Sequence, residues 1–163
     1  MKSIQSVPAK LYTWAALVVQ IKRWRLKNNR IVFTNGVFDI IHEGHISSLS
    51  EAASFGDILI VGVNSDASVK RLKGPTRPVN SEQARSLVLA SIVVTDAVVI
   101  FEEDTPRELI TALMPDVLVK GGDYTVEQIA GAKEVMENGG EVKLSAIVPG
   151  ISTTGIIEKM KNQ

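Results

Sequence analysis

His42 and His45 are the only histidines in the chain, and they stand three apart in His42-Glu43-Gly44-His45. At that spacing two side chains project from one face of a helix. The start of a helix also offers unpaired N–H groups and the positive end of the dipole, which suits phosphate oxygens. The segment just upstream, Ile31 to Asp39, reads as a short apolar strand breaking into a glycine-containing turn at Asn35-Gly36. Strand, turn, paired histidines and helix together make a site for stabilising charge on a transferring phosphoryl group. Two histidines buried or exposed by chance would not need that spacing. Transfer of this kind asks for positioned donors aimed at growing charge rather than for covalent chemistry. No glycine-rich dinucleotide fingerprint and no Walker lysine loop is present, so the histidines are the candidates for holding phosphate. Gly36 would let a nucleotide approach the backbone closely.

Three more clusters could share the work. Ser152, Thr153 and Thr154 lie in Gly150-Ile151-Ser152-Thr153-Thr154-Gly155. At a helix N-terminus their hydroxyls could cap the helix or bind polyphosphate, and beside the histidine pair the second use is favoured. Asn64-Ser65-Asp66 leads into Lys70, Arg71, Lys73 and Arg77. These cations form either a solvated helix face or a seat for a phosphorylated substrate. Lys73, followed by Gly74, is the best placed to turn inward, and Arg85 on the next helix fits a salt bridge equally well. Lys120-Gly121-Gly122-Asp123-Tyr124 is a plain turn or a flat bed for a nucleoside, at even odds. A divalent ion would be Mg²⁺, held mostly by phosphates and water with one carboxylate at most. Asp39, Asp66 and Asp123 all qualify, and Asp39 could equally be structural, so the metal ligand stays open.

The elements that must position these residues alternate. Strands are expected at Ile31–Thr34, Ile58–Asn64, Ala97–Phe101, Val117–Lys120 and Val142–Val148. Helices are expected over 44–55, 67–72, 82–93, 105–113, 126–138 and 152–161. Ser81 is the cap of the third helix and Gly139-Gly140 the stop of the fifth. The pattern predicts an α/β, Rossmann-like, doubly wound domain over 30–163 with a five-stranded parallel sheet and right-handed crossovers. Ligands in such sheets bind beyond the carboxyl ends of the strands, where every cluster above falls. Residues 1–29 read as an extension carrying an amphipathic helix over 8–28. Pro8 suits its first turn, Ser6 is a possible cap, and Leu11, Trp14, Val18 and Ile21 form the apolar stripe.

Composition narrows the function classes. The 163 residues carry 18 basic and 18 acidic side chains, so the chain lacks the basic footprint of a nucleic-acid binder. It contains no cysteine, which excludes a disulfide framework and a thiolate metal site and fits a reducing cytoplasm. No apolar run approaches the length of a membrane span. The first acidic residue is Asp39, but the short apolar stretch from Leu11 to Val19 lacks a small-residue cleavage site, so the start reads as a helix rather than a targeting peptide.

Thr34-Asn35-Gly36-Val37-Phe38-Asp39, His42-Glu43-Gly44-His45 and Ser152-Thr153-Thr154 resemble the HxGH and STT-type signatures of the nucleotidylyltransferase superfamily. More narrowly, residues 63–74, Arg77-Pro78-Val79-Asn80, Phe101 to Pro106 and Pro115 to Tyr124 resemble the D-glycero-β-D-manno-heptose 1-phosphate adenylyltransferases of lipopolysaccharide core synthesis. The likeness covers roughly residues 30–160. It implies that heptose 1-phosphate and ATP give ADP-heptose and pyrophosphate by direct in-line attack. His42 and His45 would stabilise the α-phosphoryl oxygens and the departing pyrophosphate. Thr34 and the backbone from Asn35 through Phe38 would hold nucleotide phosphates, and Ser152, Thr153 and Thr154 the β and γ phosphates. Lys73 would bridge the two phosphate groups, while Gly121, Asp123 and Tyr124 would lie near the nucleoside. Asn64, Asp66, Lys70 and Arg85 are the candidate substrate residues.

The resemblance also implies a cytoplasmic homodimer. Many relatives fuse a sugar kinase ahead of this domain. Here about thirty residues precede it, so a separate kinase is expected to supply the sugar phosphate. Relatives commonly carry an acidic residue before the glycine that leads into the last motif, where this chain has Pro149. Two rivals follow. One is a cytidylyltransferase or adenylyltransferase for another phosphorylated compound such as glycerol 3-phosphate. The other is a nucleotide-binding regulatory module without catalysis, which loss of a histidine or of Lys73 would mark; both are intact.

Overall fold

The computed structural model describes residues 6–122, 124–146 and 151–161. In chain order its elements are β1 (Leu11–Tyr12), α1 (Trp14–Arg25), β2 (Ile31–Gly36), α2 (Glu43–Ala53), β3 (Ile58–Asn64), α3 (Asp66–Lys73), α4 (Glu82–Ser91), β4 (Ala97–Phe101), α5 (Arg107–Leu113), β5 (Val117–Gly121), α6 (Ala132–Glu137), β6 (Glu141–Ser145) and α7 (Thr153–Lys161). The strands form one parallel sheet in the order β1-β4-β3-β2-β5-β6. Among the described residues no helix is long and apolar enough to cross a membrane.

Side-chain alternation along the strands builds two apolar layers. Ile31 and Phe33 of β2 face one layer with Leu17 and Ile21 of α1, Leu109 and Ile110 of α5, and Val135 of α6. Val32 faces the other, with Leu49 and Ala52 of α2 and Leu89 and Ala90 of α4. A sheet covered on both faces explains why Ile58 to Val63 is apolar almost throughout.

The sheet has six strands, not the expected five. The extra one, β1, pairs Leu11 with Val98 and Tyr12 with Val99 at the β4 edge. Two residues are too few to show alternation, so the stretch reads in sequence as part of a helix. That helix is accordingly shorter than 8–28. Pro8–Lys10 forms a 3-10 turn, and α1 begins only after Thr13, whose hydroxyl accepts from the Ala16 N–H at 3.3 Å. Its buried residues are Leu17 and Ile21; Trp14 and Val18 are half-buried and Leu11 is exposed in β1.

The helix expected over 126–138 divides into a 3-10 turn, Val126–Gln128, and α6. The break falls at Gly131, where φ is +84° and a Cβ would come within 2.7 Å of Ile110 Cγ2. Strand β6 ends at Ser145, and residues 147 and 148 of the longer strand expected there lie outside the described residues.

Candidate active site

The carboxyl ends of β2, β3 and β5 lie side by side, with Gly36 opposite Val63 and Thr34 opposite Val119. After β2 the chain turns through Phe38, a non-glycine residue at φ +49°, and enters α2 at His42. His42 is the N-cap and takes extended backbone angles, so its ring lies over the first turn. The His45 ring stacks on it, with centroids 3.8 Å apart and planes 23° from parallel. The Phe38 ring closes the other side edge-on at 5.2 Å from His45.

Burial and then the nearby His42 charge pull the His45 pKa down to about 4, so at neutral pH it is a neutral imidazole. Burial lowers His42 as well, against the pull of Glu43. The Nδ1 atoms of both rings are buried, and neither makes a well-formed hydrogen bond among the described residues, although the nearby Ile40 carbonyl opposes the lowering of the His45 pKa.

A cavity of about 330 Å³ opens on this pair, and His42, His45, Lys73, Arg77, Ser152 and Thr154 stand on its wall. It joins the N-termini of α2 and α7, residues more than a hundred apart in sequence. The Thr153 hydroxyl donates to the Ile40 carbonyl at 3.3 Å and so fastens α7 to the loop before the histidines. The Ser152 hydroxyl accepts from the Gly155 N–H at 3.0 Å. Ser152 thus caps α7 and also stands on the cavity wall. The middle of α2 is tied to β6 by the Ser48 and Ser145 hydroxyls, 2.9 Å apart.

A second cavity, of about 370 Å³, lies over the adjacent strand ends. Its wall includes Asn35, Gly36, Asn64, Asp104, Lys120 and Tyr124, and Lys73 borders both cavities. Lys120 is half-buried, and burial lowers its pKa. Gly36 has a structural duty besides any close approach by ligand, since a Cβ there would stand 3.0 Å from the Phe38 ring. Gly122 takes φ +127°, and a Cβ would stand 2.7 Å from the Tyr124 ring.

Several expected site residues are used differently. Arg85 is fully buried. Its Nε donates to the Asn80 carbonyl at 3.0 Å, Nη1 to that of Val37 at 2.6 Å, and Nη2 to the Asn64 carbonyl and Asp66 Oδ1, both at 2.8 Å. It therefore braces the ends of β2 and β3 with its donors taken up by these acceptors. Asp66 is its ion-pair partner, and its own N–H donates to Glu82 at 2.7 Å. The Asn64 amide donates to Ser68 Oγ at 3.1 Å while the residue also borders the second cavity.

Lys70 is exposed and borders neither cavity, because it sits on the solvent side of α3. Thr34 is buried within β2, short of the strand end, and also borders neither. Gly121 packs against the Ser48–Ser145 pair, where a Cβ would meet Ser145 Oγ at 3.1 Å. Asp123, Pro149 and Gly150 lie outside the described residues.

Asp39 resolves to the structural alternative. It accepts from Arg77 Nε at 2.8 Å and from the N–H groups of Val79 and Asn80, each at 2.9 Å. Burial pushes its pKa up, but those donors outweigh it and hold the carboxyl below its ordinary value. This clamp brings Arg77 to the first cavity. Among the described residues no group of three or more acidic, histidine or cysteine side chains could hold a metal. In sequence Arg77 stands only as one of four cations and Lys120 only as the start of a glycine turn; neither is singled out there, though a cation next to a proline or glycine at a strand or helix end is the available signal.

A family model described as cytidylyltransferase-like matches residues 33–159. Bifunctional protein HldE of Koribacter versatilis is 54% identical over 158 residues, which are 97% of this chain and 32% of that protein. The protein of the same name from Vibrio cholerae is 56% identical over 146 residues, covering 90% of this chain and 31% of its own length. The chain thus spans about a third of the curated relatives it matches. Among solved structures, a lipopolysaccharide core biosynthesis protein from Thermoplasma volcanium superposes with a TM-score of 0.59 at 29% identity, over 74% of this chain and 97% of that one. A pantoate-beta-alanine ligase from Francisella tularensis, solved with beta-gamma ATP and beta-alanine, gives 0.60 at 17% identity over 93% and 76%, a likeness of fold.

Proposed function

The chain belongs to the cytidylyltransferase-like family, and on that premise we propose that it transfers AMP from ATP to D-glycero-β-D-manno-heptose 1-phosphate. One observation carries the reading: a single cavity gathers the stacked His42–His45 pair, the hydroxyls at the start of α7 and Lys73. Among the described residues its walls supply donors on two sides and no carboxylate but the one already clamped by Arg77.

In this mechanism a phosphate oxygen of the acceptor attacks the α-phosphorus of ATP in line. The new P–O bond forms as the bond from the α-phosphorus to the α,β-bridging oxygen breaks, and pyrophosphate leaves with the electron pair. No covalent enzyme intermediate is required. His42 and His45, as neutral imidazoles, donate N–H groups to the α-phosphoryl oxygens as their charge grows. The Ser152 and Thr154 hydroxyls, with the free N–H groups at the start of α7, take the β and γ phosphates, and Thr153 joins them once its hydroxyl turns from the Ile40 carbonyl. Lys73, bordering both cavities, neutralises the attacking and attacked phosphates together.

Mg²⁺ brought with ATP would supply charge neutralisation on the phosphates, and among the described residues no acidic cluster is present to hold it. The acceptor's phosphate must be installed by a kinase. A cytoplasmic setting and a homodimer follow from the resemblance.

The test is pyrophosphate release by the purified chain with Mg²⁺, pairing ATP or CTP with heptose 1-phosphate or glycerol 3-phosphate. Turnover confined to ATP with heptose 1-phosphate is the expected result. Turnover with CTP or glycerol 3-phosphate keeps the mechanism and moves the substrate. Nucleotide binding without turnover in any pairing overturns the enzymatic reading in favour of a regulatory module.

A further inference from the structure

Two cations stand on the wall of the first cavity, Lys73 and Arg77. A turn brings them together: the Arg77 N–H donates to the Gly74 carbonyl at 3.1 Å, with Pro75 and Thr76 at its centre. Lys73 also borders the second cavity, whereas Arg77 borders the first alone. Arg77 therefore shares its wall with the histidine pair and with the hydroxyls at the start of α7.

The way Arg77 is held leaves most of its donors unspent. Its Nε donates to Asp39 Oδ2 at 2.8 Å. A guanidinium that served only to neutralise a carboxylate would meet it through two nitrogens. Here one nitrogen is committed, and the N–H groups of Val79 and Asn80 satisfy the rest of the carboxylate, each at 2.9 Å. Neither Nη group of Arg77 has a partner among the described residues, yet the side chain is only 12% exposed. Donors of a charged group taken out of water and left unanswered are costly unless an anion meets them.

The support behind Asp39 runs inward. Asn80 Nδ2 donates to the Asp39 carbonyl at 2.7 Å, and the buried Arg85 donates through Nε to the Asn80 carbonyl at 3.0 Å. Arg85 fixes the loop around Asp39, and Asp39 fixes the plane of the Arg77 guanidinium.

Resting on the nucleotidyl-transfer reading above, we propose that Arg77 grips the departing pyrophosphate through its two Nη groups, and that Asp39 is the positioning residue that presents them. A planar fork matches a pair of phosphate oxygens as the point charge of Lys73 does not. The leaving group gains charge as its bond to the α-phosphorus breaks, so the grip strengthens along the reaction and lowers the barrier.

The experiment runs the full chain in both directions. In reverse, a pyrophosphate oxygen attacks the adenylyl phosphorus of ADP-heptose, and heptose 1-phosphate leaves with the electron pair as ATP forms. Arg77→Met is expected to raise the pyrophosphate KM about tenfold or more, the weight of a hydrogen bond to a charged group. It should lower the forward kcat by a similar factor and leave the heptose 1-phosphate KM near wild type. Arg77→Lys should recover only part of the loss, because it keeps the charge and lacks the fork; should Arg77→Met not fold, this variant carries the test. Asp39→Asn should also raise the pyrophosphate KM, and combining it with Arg77→Met should add nothing further, a coupling that a merely structural role would not produce. Calorimetry with inorganic pyrophosphate alone should show the same weakening. Arg77 variants that bind pyrophosphate as wild type does, or that change only the heptose 1-phosphate KM, overturn the assignment, as does a wild-type chain that binds no pyrophosphate. Absence of turnover with ATP and heptose 1-phosphate would instead overturn the proposed reaction, with pyrophosphate binding still deciding the role of Arg77.

Discussion

The two cavities that meet at Lys73 are built in opposite ways. The first is made of helix beginnings: the His42–His45 pair at α2 and the hydroxyls at α7 each arrive as a short run of neighbours. The second draws single residues from separate strand ends and loops: Asn35 from β2, Asn64 from β3, Asp104 from the loop after β4 and Lys120 from β5. A helix N-terminus concentrates backbone donors whatever the rest of the fold does, so it suits the part common to all nucleotidyl transfers. A wall of isolated side chains can be changed one residue at a time, which suits the part that chooses the acceptor.

The sharpest way to separate the cavities is His45→Ala. It should cut kcat by about 10²–10³, as for loss of one transition-state donor, while the acceptor KM stays near wild type in steady-state pyrophosphate release. A loss carried mainly by the acceptor KM would break the division of labour. Arg85 borders neither cavity but holds the carbonyls of Val37 and Asn64 at the strand ends. Arg85→Met leaves Asp66 and the carbonyls of Val37, Asn64 and Asn80 without their donor. The expected cost is about 3 kcal/mol of stability in urea unfolding. An unchanged midpoint with lost activity would return Arg85 to substrate binding. Lys73→Ala, at the shared rim, should raise the KM for ATP and for acceptor together by about tenfold; a change in one alone would assign the lysine to that cavity.

The smallest effect expected is on pH-dependent stability. His45 has a pKa of about 4 in the folded chain against 6.5 ordinarily, so the unfolded chain binds the extra proton between these values. Stability should therefore fall as pH drops from about 6.5 toward 4, and His45→Gln should flatten that fall in urea titrations. Asp39, with its lowered pKa, contributes stability above its ordinary value of 3.8 that is lost only at lower pH.

Much of the fold is legible in the sequence because strands buried on both faces are written as apolar runs. Ala97–Phe101 and Ile58–Asn64 have the expected bounds. β1 is not legible: two residues show no period, and their partner Val98 is nearly ninety positions away. The first cavity is legible because its residues come in groups. The separate places of Arg77 and Lys120 are not, since a cation beside a proline or glycine looks the same whether it meets solvent or a cavity. Arg85 misleads for the same reason: a sequence displays its charge but not the acceptors that surround it.

By itself, then, the sequence determined the alternating order of elements, the parallel sheet and the presence of histidines and hydroxyls at two helix starts. These depend on local periodicity and on residues close along the chain. The tertiary structure alone decided which cations stay open and which are consumed, that Asp39 holds Arg77, and that α7 is tied to the loop before α2. Each of these is a contact between residues tens to more than a hundred positions apart, fixed by the order and register of the strands.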